Sequence, residues 1–298
     1  MGDVGQILVS EFVGTGVLMT LGVGVGANVT LQAAFGKGGG YLMVAFGWAL
    51  GVFAGVHVAH ASGAHLNPAM TLGMLARSAV PGGPGEYAPG IAITVATTLA
   101  YLVGELAGAI CGAVLAWSVY RAHFDAHPVA QDKLAAMATG PALRSLGRNT
   151  FGEGVATFVL VFVLLQLALT PSAIGPLGVA LTVLGVGLGL GGVTGWAINP
   201  ARDLGGRIAH SVLPIRGKGS SDWSYAWVPV VGPVVGGMLG GIAAQLGGQR
   251  HRLAAGLAPR RALRAGPEHI GAGEEPRVLQ VQVDAGVLGG GVVDLVES

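Results

Sequence analysis

The residues best placed to do chemistry in this chain are two copies of Asn-Pro-Ala. They stand at Asn67-Pro68-Ala69 and Asn199-Pro200-Ala201, the second followed directly by Arg202 and Asp203. Asn is a good helix N-cap and Pro is favoured in the first helical turn, so each triplet reads as the start of a short helix. A helix N-terminus carries roughly half a positive charge and free N–H donors. Asn adds a carboxamide donor there without a full charge. Such an end suits an uncharged hydroxyl compound and repels a cation. Asp would instead attract cations, and Leu would leave a solute oxygen unpaired. Two carboxylates, Glu11 and Glu153, sit within apolar runs at matching places in the two halves of the chain. There are no paired carboxylates near His, no metal-ligand cluster and no nucleophile motif, so the chain reads as a non-enzyme with no cofactor and no metal.

The elements that must position these groups belong to a membrane protein. Of 298 residues, 52% are hydrophobic and only 10% charged, against about 25% charged in ordinary soluble domains. Most of the outer surface must then face lipid. Six segments approach the roughly 20 apolar residues that a spanning helix needs: 7–27, 41–60, 91–117, 150–170, 176–192 and 225–247. Segment 118–149 is polar and reads as a long loop, and 212–224 as another. Many of the 54 glycines lie inside apolar runs, for example Gly104, Gly108 and Gly112, or Gly232, Gly236 and Gly240. Small residues four apart let helices approach closely in lipid. Cys111 is alone and reads as a small buried hydrophobe.

The segments 66–77 and 199–210 are apolar but too short to span. They also resemble each other: six of twelve positions agree between Ser62–Gly73 and Thr194–Gly205, and Glu11–Thr15 echoes Glu153–Thr157. The duplicated unit is about three spans plus one half-helix. An odd number of spans sends the second copy in from the opposite side, giving an inverted repeat. The expected fold is therefore all-α, with six transmembrane helices and two re-entrant half-helices whose Asn-capped ends meet near the midplane. The expected boundaries are a membrane domain over 1–248, with repeats at about 5–117 and 148–248, and a disordered tail over 249–298.

Two Asn-Pro-Ala boxes of this kind, with Arg202 after the second, resemble the major intrinsic protein family of aquaporins and aquaglyceroporins. The resemblance covers roughly residues 5–247. Asp203 after Arg202, and the stretch Gly217–Trp227, look like the glycerol facilitator branch. Gly206 departs from the family, which usually has Pro there, and implies a looser second half-helix.

The resemblance implies a passive channel for glycerol and other small neutral solutes, with water permeation and exclusion of protons and ions. A water-selective channel is the alternative, and a secondary transporter a remote one. It implies that Asn67, Pro68, Ala69, Asn199, Pro200 and Ala201 line the pore, and that Trp48, Gly187, Trp196 and Arg202 form its filter. For the second-span position, strict spacing selects Gly47, a one-residue deletion selects Trp48, and Phe46 is a third option. Glu11 and Glu153 are expected to hold the half-helix loops. The His65 carbonyl should line the pore with its ring packed behind, Asp203 should position loop backbone or Arg207, and His57 and His60 should be packed, with a pore-facing position as the alternative. The implied setting is a bacterial cytoplasmic membrane with both ends cytoplasmic, as a homotetramer. The scattered 16 basic residues and net charge of +1 predict no nucleic-acid partner.

Overall fold

The computed structural model describes residues 2–167, 169–170 and 173–257. Its helices are α1 (Gly2–Thr30), α2 (Gly40–Val58), α3 (Pro68–Ala79), α4 (Val95–Ala126), α5 (Ala130–Met137), α6 (Leu146–Leu167), α7 (Gly175–Leu190), α8 (Pro200–Val212) and α9 (Val228–Leu257). Among the described residues, six helices are long and apolar enough to cross a membrane: α1, α2, α4, α6, α7 and α9. Together with the two short helices that begin behind Asn67 and Asn199, they give the all-α arrangement of six spans and two half-helices expected from the internal repeat.

Burial is distributed as lipid demands. Leu8, Val9, Leu21, Leu42, Leu50, Leu99, Leu181 and Leu239 are exposed on the outside of the helices, while Glu11, Thr15, Asn67, Glu105, Glu153, Asn199 and Asp203 are buried. Polar groups at membrane depth must find partners inside the protein, and here most do.

Glycine sets how closely the long helices pack, in the same way twice. Along α4, a Cβ on Gly104, Gly108 or Gly112 would run into the backbone carbonyls of Leu8, Phe12 or Gly16 on α1. Along α9, a Cβ on Gly232, Gly236 or Gly240 would meet the carbonyls of Thr150, Gly154 or Phe158 on α6. Each crossing is thus backbone against backbone over two turns, and each brings its glutamate-bearing helix, α1 or α6, against the middle of the bundle.

Three boundaries differ from expectation. The third span starts later than residue 91, because Ile91–Ala92 (β2) pairs antiparallel with Glu86–Ala88 (β1). Helix α4 then begins behind Thr94, whose side chain and that of Thr97 cap each other's backbone reciprocally. At its far end α4 runs to Ala126, and the supposed loop 118–149 also contains α5. Finally, α9 continues to Leu257, so the first residues of the expected tail are helical; residues 258–298 lie outside the described residues.

Gly206 does not interrupt α8, which is continuous to Val212. The Met137 carbonyl at the end of α5 occupies the place of a Cβ there, so a side chain, proline's included, would push α5 off α8.

Candidate functional site

The two half-helices α3 and α8 begin at Asn67 and Asn199, each extended in φ and ψ and each capping its own helix. Asn67 Oδ1 accepts from Ala69 N–H at 2.9 Å, and Asn199 Oδ1 accepts from Ala201 N–H at 3.0 Å and Arg202 N–H at 3.2 Å. Each carboxamide also donates across to the other half. Asn67 Nδ2 donates to the Ile198 carbonyl at 2.8 Å, and Asn199 Nδ2 donates to the Leu66 carbonyl at 2.7 Å. A carboxamide nitrogen carries two hydrogens, and each Asn keeps one that no other group among the described residues accepts.

The segments entering the half-helices are matched residue for residue. Gly63, Ala64 and Leu66 have φ of 85°, 56° and 54°, and Gly195, Trp196 and Ile198 have 78°, 36° and 44°. Positive φ is unfavourable for residues with a Cβ, at about 1–3 kcal/mol each, so something must hold these loops. Glu11 and Glu153 do so. Glu11 Oε1 accepts from Ser62 Oγ at 2.5 Å and His65 N–H at 3.0 Å, while Oε2 accepts from Leu66 N–H at 2.6 Å. Glu153 Oε1 accepts from Thr194 Oγ1 at 2.5 Å and Ala197 N–H at 2.9 Å, while Oε2 accepts from Ile198 N–H at 2.9 Å.

Between the halves lies a cavity of about 200 Å³, lined by backbone of both loops, by Asn67, Asn199 and Arg202, and by an apolar wall that includes Trp48, Val52, Val56, Leu160, Leu164, Val183 and Trp196. The Arg202 guanidinium carbon stands 3.9 Å from the centroid of the Trp48 ring, a cation–π distance. Arg202 is buried, and its Nη1 has no hydrogen-bond partner among the described residues. Trp196 packs over Gly187, whose added Cβ would lie 2.9 Å from indole Cε2. The structure therefore brings Trp48, Gly187, Trp196 and Arg202 together. Gly47 instead faces Val25 on α1, and Phe46 is exposed on the outside. Pro68, Ala69, Pro200 and Ala201 form the first turns behind the two Asn, away from the cavity lining.

Supporting residues occupy the back of the site. His65 contributes to the lining, and its ring stacks on Tyr101 at 4.3 Å. Its Nδ1 lies 2.8 Å from Thr71 Oγ1, which itself donates to Glu105 Oε1 at 2.7 Å. Asp203 does not line the cavity. It accepts from Thr139 N–H at 2.8 Å and Thr139 Oγ1 at 2.5 Å, and pairs with Arg207 Nε at 2.8 Å. That fixes the loop after α5 against α8. His57 and His60 are exposed rather than packed.

Sequence reasoning missed several contributors. Ser62 and Thr194 bond the two glutamates; they appeared as a conservative pair in the internal repeat, which was the available signal. Thr139 and Tyr41 have no such counterpart. The apolar wall residues sit on helices that are hydrophobic all round, so no periodicity marks the inward face.

A family model described as Major intrinsic protein matches residues 3–244. The Glycerol uptake facilitator protein of Streptococcus pneumoniae is 41% identical over 228 residues, which is 76% of this chain and 92% of that protein. A Probable glycerol uptake facilitator protein of Thermotoga maritima is 42% identical over 230 residues, 76% of this chain and 93% of that protein. Among solved structures, the X-ray structure of the aquaglyceroporin from Plasmodium falciparum matches with a TM-score of 0.67 and 28% identity, over 81% of this chain and 96% of that chain.

Proposed function

The chain belongs to the major intrinsic protein family, and from that premise we propose that it is a passive transmembrane channel for glycerol and related small neutral solutes, not an enzyme. The observation that carries the reading is the buried Arg202, whose Nη1 lacks a partner among the described residues and whose guanidinium lies over the Trp48 ring, in a cavity that Trp196 also lines. Glycerol has hydroxyls along one edge and a carbon backbone along the other. The guanidinium and the spare carboxamide hydrogens of Asn67 and Asn199 meet the hydroxyls, and Trp48 and Trp196 meet the carbons. Glycine at 187 leaves width for a three-carbon solute.

In this reading Trp48, Gly187, Trp196 and Arg202 are the filter, and Asn67 and Asn199, at the heads of the Asn-Pro-Ala turns, mark the middle of the path. Water passes by the same route. Protons and cations are turned back by the opposed positive ends of α3 and α8 together with Arg202. The channel unit is residues 1–248, built of halves at about 5–117 and 148–248, a division supported by the matched glutamates, loop dihedrals and glycine crossings. Family membership supports a homotetramer in the lipid bilayer of a bacterial cytoplasmic membrane, with both ends cytoplasmic. In keeping with that orientation, two cations of the third-to-fourth loop are internally engaged: Lys133 donates to the Arg216 carbonyl and Arg144 pairs with Asp222.

Proteoliposomes carrying the protein, shocked with glycerol and separately with sucrose, test the function. Rapid re-swelling in glycerol and none in sucrose is expected. Fast water efflux with no glycerol entry would replace this reading with a water-selective channel.

A further inference from the structure

We propose that Tyr41, at the start of α2, is a positioning residue that sets the width of the filter by clamping Trp196; the inference rests on the glycerol-channel reading. Three observations meet at this side chain. Its hydroxyl donates to the Gly187 carbonyl on α7 at 3.0 Å, linking elements 146 positions apart in sequence. Its ring stands edge-on to the Trp196 indole, with centroids 5.2 Å apart and planes inclined by 69°. And a Cβ on Gly191 would strike both the Tyr41 hydroxyl and the Trp196 ring, so tyrosine, indole and α7 backbone fill one closely packed corner.

The corner needs a clamp. Trp196 lies in a loop with φ of 36°, and its ring occupies the space that a Cβ on Gly187 in α7, or on Gly191 just past its end, would need. The Gly187 carbonyl already accepts from Gly191 N–H at the helix end. Tyr41 adds a second donor to that oxygen from another helix, tying the end of α7 to the start of α2. With α7 held and Tyr41 against the indole, Trp196 keeps its seat over Gly187 in the cavity that Arg202 also lines. Tyr41 itself is absent from the cavity lining, so it acts through Trp196 and not on the solute. An edge-to-face aromatic contact of this geometry is attractive beyond the area it buries.

The test is selectivity among polyols, measured per channel in proteoliposomes for the wild type, Y41F, Y41L and Y41A. Permeability is taken for water, glycerol and the four-carbon erythritol. In Y41A and Y41L the erythritol-to-glycerol ratio should rise by roughly two- to tenfold, the range that loss of one aromatic pair supplies. In Y41F, which keeps the ring edge and loses only the hydroxyl tether, the rise should be smaller. A residue that merely supports folding would lower all three permeabilities in parallel and leave the ratio alone. An unchanged ratio in Y41L and Y41A, or a parallel fall, overturns the role given to Tyr41. If Y41A does not assemble, Y41L and Y41F carry the same comparison. Failure of the wild type to pass glycerol would strike the channel reading itself, and that result is separate because it needs no variant.

Discussion

The two glutamates that hold the half-helix loops should be energetically coupled across the molecule. Consider Glu153→Gln. Three donors converge on the carboxylate: Thr194 Oγ1 and Ala197 N–H on Oε1, and Ile198 N–H on Oε2. An amide has one acceptor oxygen. If it keeps Thr194 and Ala197, its NH₂ faces the Ile198 N–H, donor against donor. That removes one charge-assisted bond and leaves a buried donor unpaired, together about 3–5 kcal/mol. Glu11→Gln faces the same conflict at Leu66 N–H. The sites communicate because Leu66 and Ile198 bond both ways. Leu66 gives its N–H to Glu11 and its carbonyl to Asn199, while Ile198 gives its N–H to Glu153 and its carbonyl to Asn67. Loosening either loop therefore withdraws an acceptor from the other half. The double variant should cost less than the sum of the singles, by about 0.5–3 kcal/mol, the range for residues sharing a network. Equilibrium unfolding in mixed micelles of the wild type, both singles and the double closes the cycle. Additivity within about 0.5 kcal/mol, or a near-neutral Glu153→Gln, would refute the argument.

Arg202→Leu removes the charged side chain from the described cavity lining and should let protons leak, read as faster collapse of a pH gradient across vesicles. Gly187→Ala places a Cβ 2.9–3.0 Å from the Trp196 ring; the indole must yield toward the cavity, so glycerol flux should fall more than water flux, with about 1–3 kcal/mol of lost stability from overpacking. At the loop surface, hydrogen bonds from Arg144 hold the Asp222 carboxyl below its ordinary pKa, as Ser224 also does. A depressed carboxylate contributes stability above its unfolded value of about 4 and loses it as pH falls through the lower folded value. Acid titration of thermal stability should therefore show a small loss in that low range, absent in Asp222→Asn; identical acid profiles for the two proteins would contradict it.

Much of the site was legible because the chain repeats itself. Asn67 and Asn199, and Glu11 and Glu153, recur at matched places, and Arg202 is a charge where charges are costly. What escaped notice had no second copy or no contrast. Tyr41 is one aromatic in an apolar helix, and its meaning lies in Trp196, far along the sequence. Thr139 sits in a stretch read as plain loop, where α5 forms and its end packs onto α8 at Gly206. For the second-span position, spacing alone favoured Gly47; a ring over the Arg202 guanidinium distinguishes Trp48, and that is a three-dimensional fact. The early start assigned to the third span came from reading hydrophobicity as helix, whereas Ile91 serves a short strand pair. His57 and His60 were misjudged because an apolar run does not tell which side of a helix meets lipid.

The crossed bonds at the centre also constrain how the protein can be made. A nascent chain that has emerged only through α4 holds the Asn67 carboxamide and the Leu66 carbonyl without the Ile198 and Asn199 groups that complete them. Those partners are translated only after two further spans have been threaded into the bilayer. The midpoint thus closes only once α8 arrives, and a product truncated before α8 is left with an open polar seam that its own residues cannot close.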